Sequence, residues 1–471
     1  MDIYLTNTLS REKEKFEAIN GPNVGMYTCG MTVYDYAHIG HGRKYVTDDI
    51  LKRVLTLNGF KVNHVQNVTD VGHLVSDGDE GEDKLEKGAI KQGKTVWEVA
   101  EFFTKNFYDS MDALNIIRPN VICKATENIS EQIEVVKKLI DKGFAYDTPE
   151  AVYFEVSKFP NYGDAFGQNL NEKQVAVRDE VKTGEHKKNP FDFALWFKRV
   201  GRFENHTMHW ESPWGDGFPG WHIECSAMSI KYLGDQFDIH TGGEDHISIH
   251  HPNEIAQSEA ATGKSPFVNY WLHTAFLMVD GKKMSKSLGN FYTIQDVKDK
   301  GIDPLALRYL YLTAHYRDPM NFTWESLQAS QNAITKLWKT INELKKESEK
   351  RPTLSSEKME KLETYRTRFT ETLNDDLNTA VAMSIVWEVI KSNIPSLDKL
   401  DFLNFANEVL GLWTESTLLD ISKEKVIPED VLQLIQKREE LRKEKKFEEA
   451  DQIRKQIEEL GFDISDSPLN K

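Results

Sequence analysis

"YTCGMTVYDYAHIGHGR", Tyr27 to Arg43, joins the end of one short apolar run to the mouth of a helix. Upstream, "VGMYTCG" is short and β-prone. From about His41 the spacing changes, with Val46, Ile50, Val54 and Leu57 on one side at helical intervals and Gly59 standing where a helix stops. "KVNHVQNVTDV" (61–71) then reads as a second strand. Strand, helix and strand in so short a span make a βαβ unit, which builds a parallel sheet with ligands at the carboxyl ends of its strands. The quoted stretch therefore lies at a strand-to-helix turn, where such a sheet binds.

Working outward, residues from about 120 to 210 alternate helix ("ISEQIEVVKKLIDKG") with polar, Gly- and Pro-containing strand-like pieces and read as an insertion. A second apolar, Gly-punctuated block follows, from "SPWGDGFPGWHIECS" to "NYWLHTAFLMVDGKKMSKSLGN". After Asp303, an N-cap with Pro304 in the first turn, the text is almost entirely helical. "KLWKTINELKKESEKR" and "DDLNTAVAMSIVWEVIKS" read as bundle helices, and beyond the linker "ISKEKVIPED" stands a last pair, "VLQLIQKREELRKEKKF" and "EEADQIRKQIEELG".

The 471 residues exceed one ordinary core. With 39% apolar and 28% charged residues, the chain has enough hydrophobic material to fold and too much for a disordered one. No window approaches a membrane span and the start lacks signal-peptide features, which gives the expectation of a cytoplasmic protein with no membrane association. Cys29, Cys123 and Cys225 are odd in number and far apart, which argues against a disulfide framework and for metal-binding, reactive or plainly buried thiols. A net charge of -16 argues against a chain coated in nucleic acid but permits local basic patches.

His38 and His41 flank Gly40 at the helix mouth, where free N–H groups and the helix dipole attract phosphate and two imidazoles can donate to its oxygens. Two polar turn histidines are the plainer alternative. "GKKMSKSLGN" sets Lys283 and Lys286 in a Gly- and Ser-rich loop whose ammonium groups can neutralise a leaving pyrophosphate, or simply be solvated.

Together and in this order, "HIGH" and "KMSKS" resemble the signature pair of class I aminoacyl-tRNA synthetases. "CGMTVYDYAHIGHGR", "GWHIECSAM" and "HHPNEIAQS" resemble the cysteinyl-tRNA synthetase family, over essentially the whole chain. The resemblance implies a Rossmann-type α/β catalytic domain with an inserted connective domain, an all-α bundle and a small anticodon-binding unit. The divisions expected are 1–120 and 211–260 for the two catalytic halves, 121–210 for the insertion, 261–325 for the stem-contact region with its lysine loop, 326–420 for the bundle and 421–471 for the last unit. It implies an enzyme that activates L-cysteine with ATP and transfers it to tRNA(Cys), as a monomer, with Mg²⁺ accompanying ATP.

It further implies one Zn²⁺ held by Cys29, Cys225, His250 and Glu254, while Cys123 stays structural. Zinc favours thiolate and imidazole ligands and lowers the pKa of a coordinated thiol, so cysteine is distinguished from serine without an editing site. Pro252 departs from the family's usual Glu. Proline suits the first helical position, which makes His251 the cap and leaves it as a rival ligand to His250. By the resemblance Thr69, Trp221 and Asp245 line the cysteine pocket, and Gly242 and Gly243 let adenosine approach the backbone. Arg442, Phe447 and Asp451 meet anticodon bases, with Phe447 replacing a more usual Trp. Two rival readings are a cysteine ligase of thiol biosynthesis, against which the full helical C-terminus counts, and a silent tRNA-binding paralogue, in which eroded signatures are expected.

Overall fold

The strand-to-helix turn of the opening stretch sits in the middle of a five-stranded parallel sheet. The computed structural model describes residues 1–72, 85–86, 88–89, 93–160, 162–163, 166, 186–347, 355–422, 429–444 and 446–459. A hairpin of β1 (Tyr4–Asn7) and β2 (Glu12–Lys15) precedes β3 (Asn23–Thr28), α1 (Ile39–Leu57) and β4 (Lys61–Val68). Then come α2 (Val96–Ala113), β5 (Val121–Lys124) and α3 (Ile129–Asp141). β6 (Ala145–Asp147), β7 (Ala151–Phe154), β8 (Phe193–Lys198) and β9 (Gly217–Pro219) form a separate antiparallel sheet in that order. The chain returns through α4 (Trp221–Leu233), β10 (Phe237–Gly243), α5 (His250–Thr262) and β11 (Val268–Thr274).

The main sheet has the order β11-β10-β3-β4-β5, every pair parallel. The chain winds from β3 toward β5 on one side, then resumes at β10 and winds the other way. The order reverses between β3 and β10, so a crevice opens at their carboxyl ends, where Thr28 lies opposite Thr241. β3 and β10 are buried on both faces, as strands covered by helices on both sides must be. β5 belongs to this sheet, although it falls in the stretch expected as insertion, and β11 belongs to it although it falls in the expected stem-contact region. Both pair with the strand that precedes them, β5 with β4 across α2 and β11 with β10 across α5.

A three-stranded sheet, β12 (Leu277–Val279), β13 (Lys282–Lys283) and β14 (Met320–Phe322), carries the lysine loop and is followed around by α6 (Ile294–Asp299) and α7 (Pro304–Leu312). Asp303 caps α7, its carboxylate accepting from Leu305 N at 2.8 Å. α8 (Trp324–Glu347), α9 (Ser356–Asn374), α10 (Thr379–Lys391) and α11 (Ser396–Leu410) form the bundle; α8 buries Leu327, Ile334, Leu337, Trp338, Ile341 and Leu344 at helical intervals. Of "DDLN", read as helix, Asp376 and Leu377 instead have φ of 60° and 58°, and Asn378 caps α10. Among the described residues no helix is long and apolar enough to cross a membrane.

Residues from Thr414 form a second unit. It contains α12 (Glu415–Ser422), α13 (Glu429–Lys443) and α14 (Phe447–Glu459), the last two packed through Val431, Ile453 and Ile457.

Candidate active site

His38 is the N-cap of α1. Its Nδ1 accepts from His41 N at 3.2 Å, and His41 Nδ1 accepts from His38 N at 3.3 Å, a reciprocal capping box built from two imidazoles. The rings stack with centroids 3.5 Å apart. A Cβ at Gly40 would lie 2.9 Å from His38 Cε1, so glycine is what lets that ring fold over the helix mouth. Both Nδ1 atoms face backbone N–H groups, which can only donate, so each neutral ring carries its proton on Nε2. Burial keeps the rings neutral: it lowers His38 to about 4 and His41 well below its ordinary value. The helix mouth thus offers two Nε2–H donors without adding positive charge.

The lysine loop returns to the same place. Ile39 N donates to Tyr292 O at 2.9 Å, Phe291 lies edge-on to His38, and Met284 approaches Gly40. Asn290 braces the loop, accepting from Ser285 N and donating to Lys283 O. Lys286 pairs with Asp35 at the lip of the crevice, and Lys283 is exposed.

Behind this end the two cysteines meet, 196 positions apart in the chain, with Cys29 Sγ 3.9 Å from Cys225 Sγ. One donor atom from each of Cys29, Cys225, His250 and Glu254 lies within 4.8 Å of all the others, and all four residues are buried. A second set, Cys29, His240, His251 and Glu254, meets the same limit. Glu254 joins the two, with Oε1 2.9 Å from His250 Nε2 and Oε2 3.0 Å from His240 Nε2. Burial opposes every charge here, but the facing groups win at three of them, holding the Cys225 thiol below its ordinary value against burial, through its contacts with Cys29 and His250. The carboxylate of Glu254 raises His250 to about 10, and His240 with His250 holds Glu254 far below its usual range. Burial pushes the Cys29 thiol up, against the nearby Lys44 ammonium, whose Nζ donates to Cys29 O at 3.0 Å.

The first set fits a zinc ion by its chemistry, with two thiols, an imidazole and a carboxylate, all buried. α5 begins at His250 itself, with Pro252 third in the helix and not first as expected. The N–H that proline lacks is one that no carbonyl of the first turn could have accepted. His250 and Glu254 therefore share one helix face at the (i, i+4) spacing. His251 turns to His273, Nδ1 to Nε2 at 2.7 Å, and reaches Cys29 Sγ at 3.5 Å on its other nitrogen. Cys123 donates to Gln66 O from the same core cluster as Cys29 and Cys225, but belongs to neither donor set.

Trp221 opens α4 with its ring centroid 4.5 Å from that of His250. Thr69 is buried and donates to Glu224 Oε2 at 3.0 Å. Asp245 is exposed, and its carboxylate lies 3.9 Å from His246 Nε2. The space beside Gly242 is taken by the chain itself: a Cβ there would meet His251 Cε1 at 2.5 Å and His246 Nδ1 at 2.8 Å, and at Gly243 it would meet Asp245 at 2.3 Å. Gly242 makes room first for the histidines, and Gly243 for Asp245.

Sequence reading missed most of that histidine group. His222 Nδ1 lies 2.9 Å from His250 Nδ1, while His240 stacks on Trp271 and His273 reaches Thr8. The density of histidine in "GWHIECS", "HTGGEDHISIHH" and "WLHTAF" was the available signal. In the second unit Arg442, Phe447 and Asp451 stand exposed around the turn between α13 and α14, and Phe447 and Asp451 share a face of α14.

Comparison with known proteins agrees with this geometry. The class I (C) tRNA synthetase catalytic domain model matches residues 15–332, the DALR domain model 368–393, and the cysteinyl-tRNA ligase anticodon-binding domain model 425–469. A cysteine--tRNA ligase of Treponema denticola is 44% identical over 99% of this chain and 98% of its own; one from Thermococcus onnurineus is 41% identical over 99% and 98%. A methionyl-tRNA synthetase of Mycobacterium tuberculosis, solved with methionyl-adenylate, shares the fold at TM-score 0.57 and 16% identity, covering 83% of this chain and 90% of its own. The agnB2 LeuRS of Agrobacterium radiobacter K84 does so at 0.58 and 12%, covering 87% and 86%. The chain belongs to the cysteine--tRNA ligase family of class I aminoacyl-tRNA synthetases.

Proposed function

We propose that this ATP-dependent ligase selects L-cysteine at a zinc centre formed by Cys29, Cys225, His250 and Glu254, and charges tRNA(Cys) with it. The observation that carries the reading is the convergence of those four donors beside the helix mouth that holds His38 and His41. A bound zinc ion stabilises a thiolate far better than a hydroxyl, which separates cysteine from serine by more than a methylene-sized pocket can. His251 belongs to the layer behind, because its Nδ1 is engaged by His273 and its alternative set contains a single thiol, Cys29.

The chain's own residues then do the work of positioning. Trp221 and Thr69 wall the cysteine side chain, and Asp245 takes its ammonium. The cysteine carboxylate attacks the α-phosphate in line, with adenosine against Gly242 and Gly243 and Mg²⁺ accompanying the ATP. The Nε2–H groups of His38 and His41 meet charge that develops on phosphate oxygens, and Lys283 and Lys286 draw off pyrophosphate. No side chain acts as nucleophile. Arg442, Phe447 and Asp451 read the anticodon, and the enzyme works as a cytoplasmic monomer whose catalytic domain includes β5 and β11.

Cysteine-dependent exchange of pyrophosphate into ATP, with elemental analysis of the same preparation, tests the reading. The expected result is exchange that depends on cysteine, is not supported by serine, and tracks one zinc per chain. Exchange that survives complete loss of zinc with its cysteine selectivity intact overturns the zinc centre.

A further inference from the structure

The crevice has a lip that the activation step does not use. Tyr36 and Phe102 are large rings left 41% and 40% exposed, and they touch edge-to-face with centroids 6.1 Å apart. Both rest on the buried ring of Phe103, at 5.1 Å each. Lys94 holds its ammonium 4.7 Å from the Phe102 ring. The pair is thus braced from below and open above. Its place is set by the chain: Tyr36 stands between Asp35, the partner of Lys286, and His38, the cap of α1.

From this we infer that Tyr36, Phe102 and Lys94 form a stacking step for the single-stranded 3′ end of the tRNA as it enters the site. The terminal ribose must reach the carbonyl of an adenylate held at the mouth of α1, so the unpaired nucleotides before it pass over this lip. Every base has a π-face, so exposed rings beside a cation hold single strands whatever their sequence. The nearby acids are largely committed: the Glu98 carboxylate accepts from Thr95 N and Oγ1, and Asp35 is paired with Lys286, while Glu101 adjoins Phe102 on the solvent side. Rings anchored on a buried neighbour lose little freedom when a base stacks, so the site is ready before tRNA arrives.

The inference rests on the tRNA-charging reading, and the test separates the two. Full-length tRNA(Cys) and the same tRNA lacking its last three nucleotides are measured by filter binding to wild type, F102A and F102W. Wild type should favour the full-length tRNA, F102A should bind it about 5- to 150-fold more weakly, and F102W should restore most of the loss. F102A should no longer distinguish the two tRNAs, while its cysteine-dependent pyrophosphate exchange and thermal midpoint stay near wild type. Equal weakening toward both tRNAs, or no weakening, overturns the stacking step. A raised KM for ATP in exchange overturns it too, since the ring would then serve the nucleotide. Failure of wild type to charge tRNA at all strikes the underlying reading, whatever F102A does.

Discussion

Replacing His38 separates two jobs that one ring performs. Its Nδ1 caps α1 by accepting from His41 N at 3.2 Å, and under the proposed function its Nε2–H meets a phosphate oxygen. Alanine removes both. Loss of an N-cap acceptor costs about 1 kcal/mol of stability, within a range of roughly 0.5 to 2. Loss of a donor aimed at developing transition-state charge costs about 10² to 10³ in rate, or roughly 2.7 to 4 kcal/mol. Asparagine is the informative variant, because its carbonyl is among the best N-cap acceptors while its amide ends short of the Nε2 position. H38A should therefore lose both stability and adenylate formation, whereas H38N should regain the stability and remain slow by the same 10² or more. The assays are urea unfolding and cysteine-dependent pyrophosphate exchange at saturating ATP. Exchange by H38N at the wild-type rate would refute the assignment of Nε2–H as donor and reduce the histidine to a cap.

Four further outcomes are expected. K286A should slow adenylate formation by at least about 10² with cysteine affinity unchanged, and a matching loss of cysteine affinity would show a structural role instead. C29S, C225S and H250A should release zinc while C123S and H251A retain it, as read by elemental analysis; release by H251A with retention by H250A would transfer the ligand assignment to the second donor set. Removing residues from Thr414 onward should spare pyrophosphate exchange and raise the apparent KM for tRNA, with F447A alone costing about 1 to 3 kcal/mol of tRNA binding if its ring stacks on a base. His38 titrates near 4 in the fold, below its ordinary 6.5, so on acidification the unfolded chain takes up this proton first. Unfolding free energy should therefore fall as pH drops from 6.5 to about 4, and fall less steeply in H38N; equal slopes would mean that the folded ring is already protonated.

The parts of this fold that were legible are those whose signal is local. α1 shows its apolar stripe within one helix length, and β3 and β4 are short β-prone runs on either side of it, so the βαβ unit and the turn between its parts follow from residues 24–71 alone. β5 and β11 carry equally apolar runs, but which sheet they join depends on β4 and β10, and no local pattern records that choice. "DDLN" is the same case in miniature. Its residues suit a helix start, yet Asp376 takes a left-handed φ because its carboxylate accepts from Thr6 N, Thr6 Oγ1, Tyr316 OH and Arg317 Nε. Those partners lie 59 to 370 positions away. Four hydrogen bonds to one buried carboxylate, at about 1 kcal/mol or more each, outweigh the roughly 1 to 2 kcal/mol that αL costs a residue with a Cβ.

The candidate metal site divides along the same line, and Pro252 shows where a local rule misleads. Proline at the first helical position is a sound preference, because the N–H it lacks has no partner there. The same holds at the second and third positions, since all the first four N–H groups of a helix are orphans. A preference among equivalent places cannot fix the helix start against a tertiary demand. Here the demand is Glu254, whose carboxylate meets His250 from the same helix and His240 from β10. Beginning α5 two residues earlier puts His250 and Glu254 on one face and turns His251 toward His273. The result is that two adjacent histidines with identical local chemistry face different layers of one site, and the distinction is drawn by what β10 and β11 present to them, residues which the sequence places on either side of α5.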